Sequence, residues 1–173
     1  MSTLKTNAIQ TIAGKPILNS TGSILQVVQA TYTNNTSFAT GTTQLITGLS
    51  ASITPSSSSN KILILFTVNM GATNNQPGII IYRNGSALTA STGDGGGSRS
   101  RVTTAGAVTG NAYITPCSNS FLDSPATTSA TTYALYLTNN SGGTAYVNQS
   151  ATDADAAGYL RPASFMQLME VSA

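Results

Sequence analysis

From Ile24 onward the chain is a succession of short runs of Ile, Val, Leu and Tyr, interrupted every few residues by Gly, Ser, Asn or Pro. No stretch carries the apolar spacing of an amphipathic helix, so the pattern restricts this chain to sheets. The strongest run is Ile62-Leu63-Ile64-Leu65-Phe66, continuing through Val68 to Met70. Its β-branched residues, short length and flanking Ser and Gly favour a strand over a helix, and its unbroken apolar character suits burial on both faces.

Other runs follow the same logic. In residues 24–32, Ile24, Gln26, Val28, Ala30 and Tyr32 share one face and Leu25, Val27, Gln29 and Thr31 the other. Further strands are predicted at 44–49, 51–54, 79–83, 86–89, 111–115, 120–123, 131–138, 144–149, 158–160 and 165–172. Asn84-Gly85 between two of them predicts a type I′ hairpin turn, since both residues tolerate positive φ. In the final strand Phe165, Gln167, Met169 and Val171 alternate as one face, and this strand is expected to lie centrally and tie down the C-terminus. Many short strands at even spacing predict an all-β fold, an antiparallel jelly-roll-like β-sandwich of about eight strands.

Residues 1–22 read differently. Leu4, Ile9, Ile12, Ile17 and Leu18 follow neither strand nor helix spacing, Pro16 argues against a helix, and Lys5 and Lys15 are two of only three lysines. The division expected is an extended N-terminal arm over 1–22, reaching roughly 70 Å when fully extended, followed by a β-sandwich domain over 23–173.

Composition narrows the chemistry. Charged residues make up 7% of the chain, His and Trp are absent, and Cys117 is the one cysteine. The polar surface must come from 27 Thr, 22 Ser, 14 Asn and 16 Gly. A Ser-His-Asp triad or a His-ligated catalytic metal cannot be assembled from this set, and the few carboxylates give no pair marked for glycoside hydrolysis. The expectation is a non-enzyme without cofactor or metal. A formal charge of +2, with Arg99 and Arg101 as the tightest basic pair, does not build the phosphate-binding cluster of a nucleic-acid protein. No apolar run approaches the ~18 residues of a membrane span, and MSTLKTNAIQ lacks a signal-peptide core, so synthesis in a cytoplasm without membrane insertion is expected. So little charge also leaves little repulsion between copies, which favours assembly. With no basic neighbour in TPCSNS, Cys117 reads as a buried, inert thiol.

Several segments resemble sites without meeting their requirements. STGDGGGSRS lacks the Gly-Lys-Ser/Thr step into a helix that a phosphate loop needs, and reads as an exposed loop. Asp153 and Asp155 are spaced as two Ca²⁺ ligands would be, but no further ligands follow; a solvated loop is the better reading. Asp123 in LDSP reads as a strand end or turn, and Glu170 as buried or interfacial. Asn-x-Ser/Thr matches at Asn34, Asn35, Asn139 and Asn148 follow from composition alone. Most of the seven tyrosines fall within strands and read as packing, with Tyr159 beside the Asp153 loop as the best candidate for stacking on a sugar. Asn74, Asn75, Asp94, Arg99, Arg101, Asp153, Asp155 and Tyr159 are therefore the candidate surface contacts.

The run MSTLKTNAIQTIAGKPILNSTGSILQV resembles the start of small virion proteins of tailed phages that infect cyanobacteria and marine bacteria. LSASITPSSSSNKILILFTVN, YRNGSALT, FLDSPATTSATTYALYL and FMQLMEV are similar to the body of the same group. The resemblance implies a homotrimeric β-sandwich, C1q-like in outline, docked on other virion proteins through its N-terminal segment. Leu4, Lys5, Ile9, Ile12, Lys15, Pro16, Ile17 and Leu18 would then anchor it to the tail, neck or head. Its role would be a fibre or knob whose loops contact a host surface glycan. A capsid decoration or cement protein is the alternative, and a polysaccharide depolymerase a third and weaker one.

Overall fold

The computed structural model describes residues 21–73, 75–140 and 142–173. The expected anchoring residues between Leu4 and Leu18, and Asn74, lie outside them. Eleven strands form in the described residues: β1 (Ile24–Tyr32), β2 (Thr36–Phe38), β3 (Thr42–Ile53), β4 (Lys61–Ala72), β5 (Gly78–Arg83), β6 (Ser86–Ala87), β7 (Thr104–Ala105), β8 (Thr115–Asp123), β9 (Thr131–Asn139), β10 (Ala145–Val147) and β11 (Ser164–Val171). Seven of these have six residues or more, close to the expected eight, and the other four have only two or three.

All pairings are antiparallel, and two sheets pack face to face as a sandwich. In the six-stranded sheet, β4 pairs with β8 along one edge and with β11, then β10, along the other; β1 and β2 lie outside β11 and β10. The five-stranded sheet runs β3-β9-β5, with the short β6 and β7 beside β5. The final strand is central, between β1 and β4, and Gly22 N donates to Ser172 O at 2.9 Å beside it.

The core follows from alternation. Ile62, Ile64, Phe66, Val68 and Met70 of β4 point inward and meet Tyr133, Leu135 and Leu137 of β9 and Ile79 and Ile81 of β5. Each fully buried aliphatic side chain contributes about 1.5–3 kcal/mol, so this layer dominates the stability of the fold. The intervening residues of β4 are half-exposed on the outer face, so the strand is buried on one face of this chain and not on both.

Three boundaries differ from the sequence pattern. The two runs expected at 44–49 and 51–54 join in one strand, β3 (Thr42–Ile53), because a register irregularity between Leu45 and Ser50, with Gly48 at φ +99°, lets Ile46, Leu49 and Ile53 all reach the core. Residues 111–114 form a turn closed by Tyr113 N to Gly110 O, and β8 runs unbroken from Thr115 to Asp123. Its position at a sheet edge accommodates Pro116. Residues 158–160 are not a strand, since Tyr159 N turns back to Ala156 O and Pro162 follows. In β11 the core face is Ser164, Met166, Leu168 and Glu170, whereas Phe165, Gln167, Met169 and Val171 face outward. The hairpin is as expected: Asn84 and Gly85 have φ of 49° and 80°.

Candidate functional site

The candidate surface residues separate into two loop groups. The first is the connection from β10 to β11. Asp153, with its N–H donating to Ser150 Oγ at 3.1 Å, turns its carboxylate toward Arg161. Arg161 Nε donates to Asp153 Oδ1 at 3.1 Å and Nη2 donates to Oδ2, a two-pronged ion pair that closes the loop. The bond to Asp153 pushes the Arg161 pKa upward. Asp155, exposed, and Tyr159, half-buried, line the same shallow depression as this pair. With both oxygens facing a guanidinium, Asp153 presents a salt bridge rather than a pair of open cation ligands. Among the described residues no three His, Cys, Asp or Glu side chains cluster as metal ligands.

The second group lies along the β5 edge. Arg101 Nε donates to Gly93 O at 2.8 Å and Arg99 Nη1 to Gly96 O at 2.6 Å, so both arginines brace the glycine-rich loop while remaining exposed. Gly96 N approaches Asp94 Oδ1 at 3.4 Å. Asn75 belongs to neither group. It is 6% exposed and its amide donates to Asn139 Oδ1 at 3.0 Å and to Gly142 O, so it holds a turn together and is not a surface contact. Asn139 and Asn148 are also buried, the first donating to the carbonyl of Phe38 and the second to those of Tyr32 and Asn34.

The position of the first group follows from register. β1 begins at Ile24 opposite Val171 and ends at Tyr32 opposite Ser164, and the loop carrying Asp153, Tyr159 and Arg161 leads directly into Ser164. Thr21 and Gly22 lie at the other end, beside Ser172 and Ala173. Eight steps of β1 at ~3.3 Å separate the two ends by roughly 26 Å.

Sequence reasoning missed Arg161 as the partner of Asp153, and no spacing rule links residues eight apart in a loop. It also did not foresee two buried polar clusters. Glu170 accepts from Asn60 Nδ2 at 2.6 Å, Gln26 Nε2 at 2.5 Å, and the N–H and Oγ of Ser56 at 2.6 and 2.7 Å. Burial alone would push its pKa up, but these donors outweigh that and hold the carboxyl below its ordinary value. Asp123, at the end of β8, accepts from Arg83 Nη1 and from Tyr133 Oη. Cys117 is buried, and desolvation pushes its thiol pKa up.

No family model matches the sequence, and no curated protein matches it.

Proposed function

We propose that the chain is a structural protein of a tailed-phage virion, a homotrimeric fibre or knob mounted on tail, neck or head by its N-terminal segment and contributing to attachment at the host surface. The observation that carries this reading is the placement of the chain entry and the Asp153–Arg161 loop at opposite ends of the sandwich. A module held at Gly22 would present that loop outward, away from its mount.

The winding of the long strands supports a jelly roll. In chain order β1, β3, β4, β5, β8, β9 and β11 alternate between the two sheets, apart from the short strands after β5. The resemblance of the N-terminal run and the body blocks to small virion proteins supplies the trimer and the particle. Adhesion would be non-covalent, with Asp155, Tyr159 and the rim of the Asp153–Arg161 pair offering charge and an aromatic surface to glycan hydroxyls and apolar ring faces. Three tips per appendage would convert weak individual contacts into lasting adsorption.

Deletion of residues 1–20 tests the mounting. Particles assembled with the shortened chain should lack it, while the isolated domain keeps its β-sheet spectrum; normal incorporation would contradict the reading.

A further inference from the structure

We propose that the outer face of the six-stranded sheet is the surface through which copies of this chain pack against one another. The inference deepens the multi-copy reading above and rests on it.

Residues directly opposite in antiparallel pairs share a face. The register therefore lines up Val27, Met169, Leu63 and Leu122 as one apolar row across four strands, β1, β11, β4 and β8, all pointing away from the core. Val27 is 54% exposed and Leu122 45%. Adjacent rows add Leu65 and Phe165, and the end row places Ile24 beside Val171. Of the seven large hydrophobic side chains most exposed among the described residues, Ile24, Val27, Leu122 and Phe165 lie on this one face. A solvent-facing antiparallel sheet ordinarily places polar residues there.

The polar residues on the face are neutral. Gln29 and Gln167 satisfy each other at 2.8 Å, Thr67 and Ser118 at 2.8 Å, and the one charged side chain in these rows is Lys61, at the margin. That neutrality is what identifies the occupant. Close to a symmetry axis a residue meets its own copies, so charge near the centre of a self-associating face would oppose like charge. A foreign partner imposes no such restriction. Four strands at ~4.8 Å spacing and about eight residues at ~3.3 Å make a face of roughly 500 Å², so three such faces meeting about a threefold axis would take roughly 1,500 Å² out of water, the size of a specific interface.

The test uses the full chain in two measurements. Val27→Asp and Leu122→Asp, both at exposed positions, should convert the oligomer to a folded monomer by light scattering and circular dichroism, whereas Leu45→Asp on the outer face of the other sheet should not. Independently, a thiol at Leu122→Cys should react with a maleimide at least tenfold more slowly than one at Leu45→Cys, against the buried background of Cys117. This second measurement reads the wild-type-like assembly and does not depend on how the Asp variants fold. Equal labelling rates in an oligomer, or an oligomer untouched by both Asp variants, would overturn the face while leaving the multi-copy reading standing. A chain that remains monomeric at all concentrations overturns both.

Discussion

Tyr133 Oη donates a 2.6 Å hydrogen bond to Asp123 Oδ2, and the bond crosses from the five-stranded sheet to the six-stranded one. Arg83, on the strand beside β9, donates to both oxygens of the same carboxylate, with Nη1 2.8 Å from Oδ2. Burial and the Asp123 carboxylate both push the Tyr133 pKa up, so the phenol stays a donor throughout the accessible pH range. Tyr133→Phe leaves a buried acceptor short of one donor and should cost about 1–2 kcal/mol. Asp123→Ala should cost about 2–3 kcal/mol, less than the ~3–5 kcal/mol of a fully buried pair, because 35% of the Arg83 side chain remains in water. Urea titrations of the three proteins give these differences directly.

Glu170 makes stability depend on acid. Its folded-state pKa lies below its ordinary 4.5, because the donors from Asn60, Gln26 and Ser56 outweigh desolvation. The stabilisation is therefore fully present above about pH 4.5 and is lost as pH falls through the lower folded value. Glu170→Gln should reduce stability at pH 7, since its amide group brings hydrogens toward donors, and should flatten the decline between pH 5 and 3. Thermal unfolding across that range would show the idea to be wrong if both proteins declined in parallel.

Gly71 tests the packing where β4 passes under the β10 segment. A Cβ there would sit 2.2 Å from Gln149 O, a backbone atom that cannot swing aside. Gly71→Ala should destabilise by about 1–3 kcal/mol, as over-packing does, whereas Gly93→Ala, with open space around it, should change stability little by the same titration.

These features differ in how far the sequence announced them. The alternation in β1 and β9, the apolar run of β4 and Asn84-Gly85 were each legible because period and turn chemistry are local properties. The inward face of β11 was not: Met166 and Leu168 on one side and Phe165, Met169 and Val171 on the other are equally apolar, so alternation could not choose between them. The register with β4 chooses, by placing Met166 opposite Phe66 and Leu168 opposite Ile64. Glu170, Asp123 and Arg161 acquire partners 8 to 144 residues away, and no local pattern encodes them.

At the Asp153 loop, stability and recognition should separate. The Asp153–Arg161 pair is surface-exposed on the Arg161 side, so Arg161→Ala should leave stability little changed. Tyr159→Ala should likewise leave the fold intact. Both variants should nevertheless lower particle adsorption to host cells by severalfold, measured as free-particle depletion. Unchanged adsorption, with reduced resistance of the shell to heat or osmotic shock, would favour a decoration role instead.

If the chain is the virion protein proposed above, the most direct measurement is cryo-electron microscopy of particles that carry it. The account predicts β-sandwich density projecting from tail, neck or head in threefold copies, with Gly22 toward the particle and the loop of Asp153, Tyr159 and Arg161 outermost. Density lying flat on the shell with that loop buried would contradict it.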